Sequence, residues 1–108
     1  MGYTIHMEEQ VALITGAGQG IGAAIAKKLS EAGAQIVIND VCEESAAKEV
    51  MEQCAAFGKK PHFIRCDISD ENQVKEMIAQ IIELYGRLDI LVNNAGIVAD
   101  WDKSYAVN

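Results

Sequence analysis

A glycine-rich segment between an apolar strand and an amphipathic helix constrains the fold of this chain more than any other feature. Residues 11–14, Val-Ala-Leu-Ile, are typical of a buried strand, and residues 15–22, Thr-Gly-Ala-Gly-Gln-Gly-Ile-Gly, follow directly. The next apolar residues recur at helical spacing: Ile21, Ile25, Leu29 and Ala32. We therefore predict a strand, a tight turn and a helix. Backbone N–H groups in such a turn can bind a phosphate at the helix N-terminus, although many turns contain glycine only to reach positive φ.

Strand and helix patterns alternate along the rest of the chain. Short apolar strands are predicted over residues 35–39, 61–66 and 88–92. A helix over residues 43–57 carries an apolar stripe that ends at Phe57, and another helix begins at the capping pair Asp70 and Gln73. The three predicted helices end at glycines: Gly33, Gly58 and Gly86. This alternation predicts one α/β domain, an open parallel sheet with helices on both faces.

Composition restricts the classes of function. The chain has 108 residues, enough for one domain with a buried core, and its net charge of −7 disfavours nucleic acid as a partner. No apolar run approaches the roughly 20 residues that span a bilayer, and the N-terminus lacks a secretory signal. Cys42, Cys54 and Cys66 have no metal-ligand or disulfide spacing. We therefore expect a cytoplasmic protein with reduced thiols that fill the core, no metal site and no membrane partner.

Polar residues follow the predicted strands where an open parallel sheet binds its ligands, outside the carboxyl ends. Asp40 follows the second strand, about 20 residues after the glycine turn. A carboxylate there can accept hydrogen bonds from both ribose hydroxyls of an adenosine, or it can cap the next helix. Asp67 follows the third strand and either contacts an adenine amino group or only forms a turn. Residues 93–96, Asn-Asn-Ala-Gly, follow the fourth strand and either support a ligand against the main chain or form a turn.

These motifs together resemble the short-chain dehydrogenase/reductase family. The spacing T-G-x-x-x-G-x-G over residues 15–22 and the N-N-A-G segment over residues 93–96 are the two signatures of that family. They are most similar to the group of 3-oxoacyl-carrier-protein reductases and sugar or alcohol dehydrogenases. The resemblance implies a Rossmann-type sheet, incomplete here, with about four strands in the order 3-2-1-4. Residues 1–7 are then a leader or disordered N-terminus, and residues 8–108 are the dinucleotide-binding half of the domain.

The resemblance also implies which residues bind a nicotinamide dinucleotide. Gly16, Gly20 and Gly22 would shape the pyrophosphate turn, with Gln19 and Ile21 lining it. The other implied contacts are to the adenosine ribose from Asp40, to adenine from Asp67 and Ile68, and to the nicotinamide-side ribose or the sheet from Asn93, Ala95 and Gly96. Family members that use NADP usually place Arg or Lys where Gln19 and Val41 stand here. We therefore expect NAD as the cofactor rather than NADP.

The catalytic pair of this family is not found in these 108 residues. The reaction needs a tyrosine with a lysine four residues on, because hydride transfer to a ketone without that proton donor leaves an unstabilised alkoxide. No tyrosine in the sequence has a lysine at that spacing. Asn108, after Trp101 and Val107, is similar to an active-site Asn of the family and is the single catalytic candidate. The alternative is that Asn108 is a residue at a frayed chain end.

Two functions stay open on the sequence alone. The first is the cofactor-binding half of an NAD(P)-dependent oxidoreductase that acts on an alcohol or ketone. The second is a catalytically inactive dinucleotide-binding fragment or assembly module. In both cases the fourth strand would leave an uncovered sheet edge, so we expect self-association or pairing with the missing C-terminal half.

Overall fold

The computed structural model describes residues 7–95, which form a four-stranded parallel sheet covered by three α-helices. The strands are β1 (Val11–Thr15), β2 (Gln35–Asp40), β3 (His62–Arg65) and β4 (Ile90–Val92). Their order in the sheet is β3-β2-β1-β4, and every pairing is parallel. The predicted open α/β sheet with the order 3-2-1-4 is confirmed.

The helices divide between the two faces of the sheet. They are α1 (Gly20–Glu31), α2 (Lys48–Ala55) and α3 (Glu71–Tyr85). Alternate residues of β1 point to opposite faces: Ala12 and Ile14 pack with α1 and α2, and Leu13 packs with α3. All five residues of β1 are buried, which is the expected burial for a central strand of a sheet covered on both sides.

The apolar stripe predicted for α1 is partly buried, because Ile25 and Leu29 pack against the core. Ile21 is 65% exposed, whereas the residues that α1 buries are Gly22, Ala26 and Ser30. These small side chains bring the helix close to its neighbours, and the Ser30 hydroxyl donates a hydrogen bond to the Cys54 carbonyl oxygen of α2 over 2.9 Å. Ile21 belongs to the first turn of α1, outside the packed core, at the position where the family resemblance implies that it lines the glycine turn.

The helix predicted over residues 43–57 is two elements. One turn of 3₁₀ helix, Glu44–Ala47, leads into α2, which ends at Ala55. Phe57 lies beyond the helix in a turn closed by its own N–H on the Cys54 carbonyl, and it is 46% exposed. The predicted burial of Phe57 was therefore wrong, because the helical period ends before it.

The third helix begins and ends as predicted. Asp70 Oδ1 accepts the backbone N–H groups of Asn72 and Gln73 over 3.0 and 3.2 Å. The Gln73 side chain returns a hydrogen bond to Asp70 Oδ2 and accepts the backbone N–H of Asp67. At the other end, Gly86 adopts the left-handed conformation with φ of 77° and donates its N–H to the Ile82 carbonyl.

Met7 marks the beginning of the described chain. Its backbone N–H donates to the Ala32 carbonyl, and its side chain packs against the core beside α1 and α2. The leader predicted over residues 1–7 otherwise lies outside the described residues, and its boundary stays a prediction. Between residues 7 and 95, no helix is both long enough and apolar enough to cross a membrane.

The cap of α3 provides a test of the fold. Asp70→Ala removes the acceptor of two N–H groups, so we expect the free energy of unfolding to fall by about 1 kcal/mol. Urea denaturation followed by circular dichroism measures this change. Asp70→Asn is the matched control, because its amide oxygen can still accept both N–H groups. Equal losses in the two variants would show that the capping oxygen contributes nothing.

Candidate functional site

The glycine turn after β1 is packed too closely for most side chains. Gly16 has φ of 63°, and a Cβ there would lie 2.9 Å from the Ala95 Cα. At Gly22, a Cβ would lie 2.6 Å from both the Gly16 carbonyl oxygen and the Asn94 Nδ2. The turn and the loop after β4 therefore touch through their main chains, which brings the two sequence motifs into one structure.

Asp40 holds the glycine turn from the end of β2. Its Oδ2 accepts the Gly18 N–H over 2.9 Å, and its Oδ1 accepts the Val41 N–H over 2.7 Å. It does not cap the following helical turn, whose capping residue, Glu43, makes no side-chain cap hydrogen bond. A carboxylate has about four acceptor positions, so two stay open to ligand hydroxyls.

Asp67 forms a local turn after β3. Its Oδ1 accepts the Ser69 N–H over 2.9 Å and the Ser69 hydroxyl over 2.7 Å. These two hydrogen bonds lower the pKa of the Asp67 carboxyl, so it is ionised at neutral pH. The turn-forming role considered from the sequence is therefore present, and it leaves the second carboxylate oxygen for a ligand donor.

Thr15 joins the loop after β4 to the glycine turn. Its buried hydroxyl oxygen accepts the backbone N–H groups of Asn94 and Ala95 over 3.0 and 3.1 Å. The hydroxyl proton can be donated to Asn93 Oδ1 or to the Val92 carbonyl, at 3.3 and 3.4 Å. Asn94 completes the junction by donating from Nδ2 to the Gly16 carbonyl over 3.1 Å. Thr15 and Asn94 both belong to the sequence motifs, but the sequence did not predict that they join the two motifs, since these contacts depend on where β4 pairs with β1.

The segments at the carboxyl ends of the strands enclose an open hollow of about 500 Å³. The predicted site residues that line it are Gly16, Gln19, Gly20, Ile21, Asp40, Asp67, Ile68 and Ala95. Gly22 and Asn93 do not line it; they brace the turn and the loop beneath it. Gly96 and Asn108 lie outside the described residues. The hollow is also lined by four residues that were not predicted as cofactor contacts: Asn39, Val41, Cys66 and Asn94.

The exposed side of this hollow suits an anionic ligand at one end. Helix α1 begins beside it, its N-cap residue Gln19 makes no side-chain cap hydrogen bond, and its first turn carries no acidic residue. The N–H groups of that turn have no partner within the helix, so they can bind a diphosphate. The other end of the hollow carries Asp40 and Asp67, which can accept hydrogen bonds from hydroxyl and amino groups.

Cys66 also lines this hollow. It is buried, and burial is the main reason that the pKa of its thiol is raised, so the thiol stays protonated. Cys54 is also buried, whereas Cys42 is half-buried, and all three thiols are free. The core-filling role predicted for the cysteines thus fits Cys54 and Cys66 best.

A second hollow, of about 550 Å³, lies between α2 and the start of β3. Its walls are mainly apolar and include Met51, Ala55 and Pro61. It contains no residue of either sequence motif, so the hollow at the carboxyl ends of the strands is the candidate site.

The comparison with known families agrees with this geometry. The sequence model of the family described as short chain dehydrogenase matches residues 10–108. The chain belongs to this family. The matched region contains both the glycine turn and the N-N-A-G segment, the two elements that meet at Thr15.

Individual relatives share the fold and differ in their named cofactors. An uncharacterized oxidoreductase of Thermotoga maritima is 39% identical over 94% of this chain and 43% of its own length. Human 15-hydroxyprostaglandin dehydrogenase (NAD(+)) is 38% identical over 96% of this chain and 40% of its own length. The crystal structure of a metagenomic short-chain oxidoreductase in complex with NADP superimposes with a TM-score of 0.79 at 36% identity, over 84% of this chain and 41% of that one. The chain therefore spans less than half the length of these relatives.

Substitution of Thr15 tests the junction between the two motifs. Thr15→Val keeps the shape of the side chain but leaves the N–H groups of Asn94 and Ala95 without an acceptor. We expect the free energy of unfolding to fall by about 2 kcal/mol, measured by urea denaturation. Thr15→Ser keeps the hydroxyl, and we expect it to retain more stability than the valine variant. The reverse order of stabilities would contradict the role assigned to the hydroxyl.

Proposed function

We propose that this chain binds NAD(H) as the cofactor half of an oxidoreductase that transfers hydride between NAD(H) and an alcohol or ketone. The observation that carries the proposal is the position of Asp40. Its carboxylate holds the Gly18 N–H of the phosphate turn and keeps acceptor capacity on the side of the hollow. One carboxylate can thus order the pyrophosphate turn and accept the hydroxyls of an adenosine ribose at the same time.

Different groups of described residues suit the different parts of a dinucleotide. The N–H groups of the glycine turn and of the start of α1 suit the pyrophosphate. Asp67 and Ile68, at the far side of the hollow, suit adenine. Asn93 and Ala95, after β4, are placed to support the nicotinamide-side ribose or the loop beneath it. When bound, the nicotinamide ring supplies the site that accepts or donates hydride.

Local charge favours NAD over NADP. Asp40 would repel a 2′-phosphate, and no Lys or Arg lines the described hollow. Gln19 and Val41 occupy the two positions where the sequence resemblance implies a cation for NADP. One human relative is named for NAD(+), and one structural neighbour is in complex with NADP. Similarity to these proteins therefore does not decide between the two cofactors, and our proposal of NAD rests on the local charge.

Catalysis by these residues alone is not expected. The sequence has no tyrosine with a lysine four residues on. We therefore propose that this chain binds NADH without reducing a ketone. We also propose a cytoplasmic location. The alternative is a catalytically inactive dinucleotide-binding fragment or assembly module. It differs from the leading proposal only in the partner with which the chain associates.

The partner surface that we propose is the edge of β4, a strand that pairs only with β1 among residues 7–95. Leu91 of β4 is 59% exposed, and Ile82 and Leu84 of α3 are 45% and 50% exposed. Strand edges with unpaired N–H and carbonyl groups pair readily with another chain. The occupant is a second copy of this chain or the C-terminal half that longer relatives contain.

Asp40→Ala tests the choice of cofactor. Loss of the carboxylate removes ribose acceptors and the hold on Gly18, so we expect NADH affinity to fall about tenfold. Affinity for NADPH should fall less, because the repulsion of its 2′-phosphate is lost as well. Fluorescence titration with both nucleotides measures the ratio. Glu43→Ala removes a nearby charge that does not line the hollow, and it should leave the ratio unchanged. An unchanged ratio in Asp40→Ala would remove Asp40 from the ribose site.

Sedimentation velocity tests the edge of β4. We expect the chain to self-associate at high concentration and Leu91→Lys to shift it towards monomer, because a charge on an edge strand opposes pairing. Phe57→Lys alters an exposed apolar residue beyond α2 and should have no such effect. A wild-type chain that stays monomeric at every concentration would contradict self-association.

A further inference from the structure

Arg65 lies beside Asp40 at the carboxyl edge of the sheet. The register of β2 and β3 pairs Asp40 with Arg65, and the N–H of the next residue, Cys66, donates to the Asp40 carbonyl over 3.1 Å. Paired residues of parallel neighbouring strands project from the same face. Arg65 is thus the neighbour across the sheet of the residue proposed to bind the ribose, although it belongs to neither sequence motif.

The guanidinium of Arg65 has donors to spare. Its Nε donates to the Val41 carbonyl oxygen over 3.0 Å. Arg65 is exposed, and it forms no ion pair with any of residues 7–95. A guanidinium carries five N–H groups in a planar fork, so the groups on its two terminal nitrogens are free to bind an anion.

The position of Arg65 connects it to the candidate site. It lines a hollow of about 290 Å³ together with Val41, Cys66, Asp67 and Gln73. Val41, Cys66 and Asp67 also line the larger hollow at the carboxyl ends of the strands. Arg65 therefore stands at the rim of the adenosine end, where the larger hollow itself has no cation.

We propose that Arg65 is a specificity-determining residue that holds a phosphate monoester at the ribose 2′ position and partly offsets the repulsion from Asp40. The inference rests on the proposed function and adds to it: the chain prefers NAD(H) and still accepts NADP(H). A planar guanidinium with free terminal N–H groups matches the oxygens of a phosphate dianion. The hydrogen bond from Nε to Val41 fixes the fork in place beforehand, which lowers the entropy lost on binding.

Two small nucleotides isolate this contact. Adenosine 5′-monophosphate and adenosine 2′,5′-bisphosphate differ only in the 2′-phosphate, and both need only the adenosine end of the site. We expect Arg65→Gln to lower the affinity of the full 108-residue chain for the bisphosphate about fivefold and to leave the monophosphate nearly unchanged. Calorimetric titration gives both constants. Raising the salt concentration should lower the affinity for the bisphosphate relative to that for the monophosphate in the wild-type chain. The same change should barely alter this ratio in Arg65→Gln.

Control variants separate this role from a purely structural one. Lys28→Gln removes the same charge from the last turn of α1, away from the hollow, and should not alter the ratio. Arg65→Lys keeps the charge but loses the fork, so we expect an intermediate ratio. Equal losses for both nucleotides in Arg65→Gln would show that Arg65 only supports Val41 and would overturn the proposal. Failure of the wild-type chain to bind even the monophosphate would overturn the proposed function itself.

Discussion

The junction at Thr15 is the interaction on which the candidate site depends. One buried hydroxyl accepts two backbone N–H groups from the loop after β4, while Asn94 of that loop reaches the Gly16 carbonyl. Buried N–H groups need an acceptor, and the Thr15 hydroxyl supplies one for both groups, which holds the loop in this position. That position places the loop against the glycine turn, at Gly16 and Gly22, with no room for larger residues.

Much of this architecture was predictable from local pattern. The parallel alternation, the strand order and the cap of α3 follow from apolar periodicity, from the family resemblance and from the pair Asp70 and Gln73. Phe57 was misplaced because periodicity marks an apolar residue without telling whether the main chain at that point faces the core. The contacts of Thr15 and Asn94 were missed for a different reason. These contacts exist only after β4 has paired with β1, which no local pattern encodes.

Charge around the site has a simple arrangement. The glycine turn and the start of α1 contribute N–H groups, whereas the ends of β2 and β3 contribute the carboxylates Asp40 and Asp67. The ligand groups that fit are therefore an anion at one end and hydroxyl or amino donors at the other. One relative is named for NAD(+), and one structural neighbour is in complex with NADP. Small changes of side chain at the edge of β2 and β3 are the natural place for that choice to be made.

The small residues on the buried face of α1 have a thermodynamic consequence. Gly22, Ala26 and Ser30 contribute little apolar area and allow close approach of the helix, while the partly buried Ile25 and Leu29 supply its larger apolar contacts. A ligand that binds the N-terminus of α1 contacts the same helix and the turn that supports it. Binding and the docking of α1 are then linked equilibria, in which ligand occupancy raises the stability of the folded chain by mass action. Any ligand that binds at this N-terminus would therefore make the melting temperature of the domain depend on the ligand concentration.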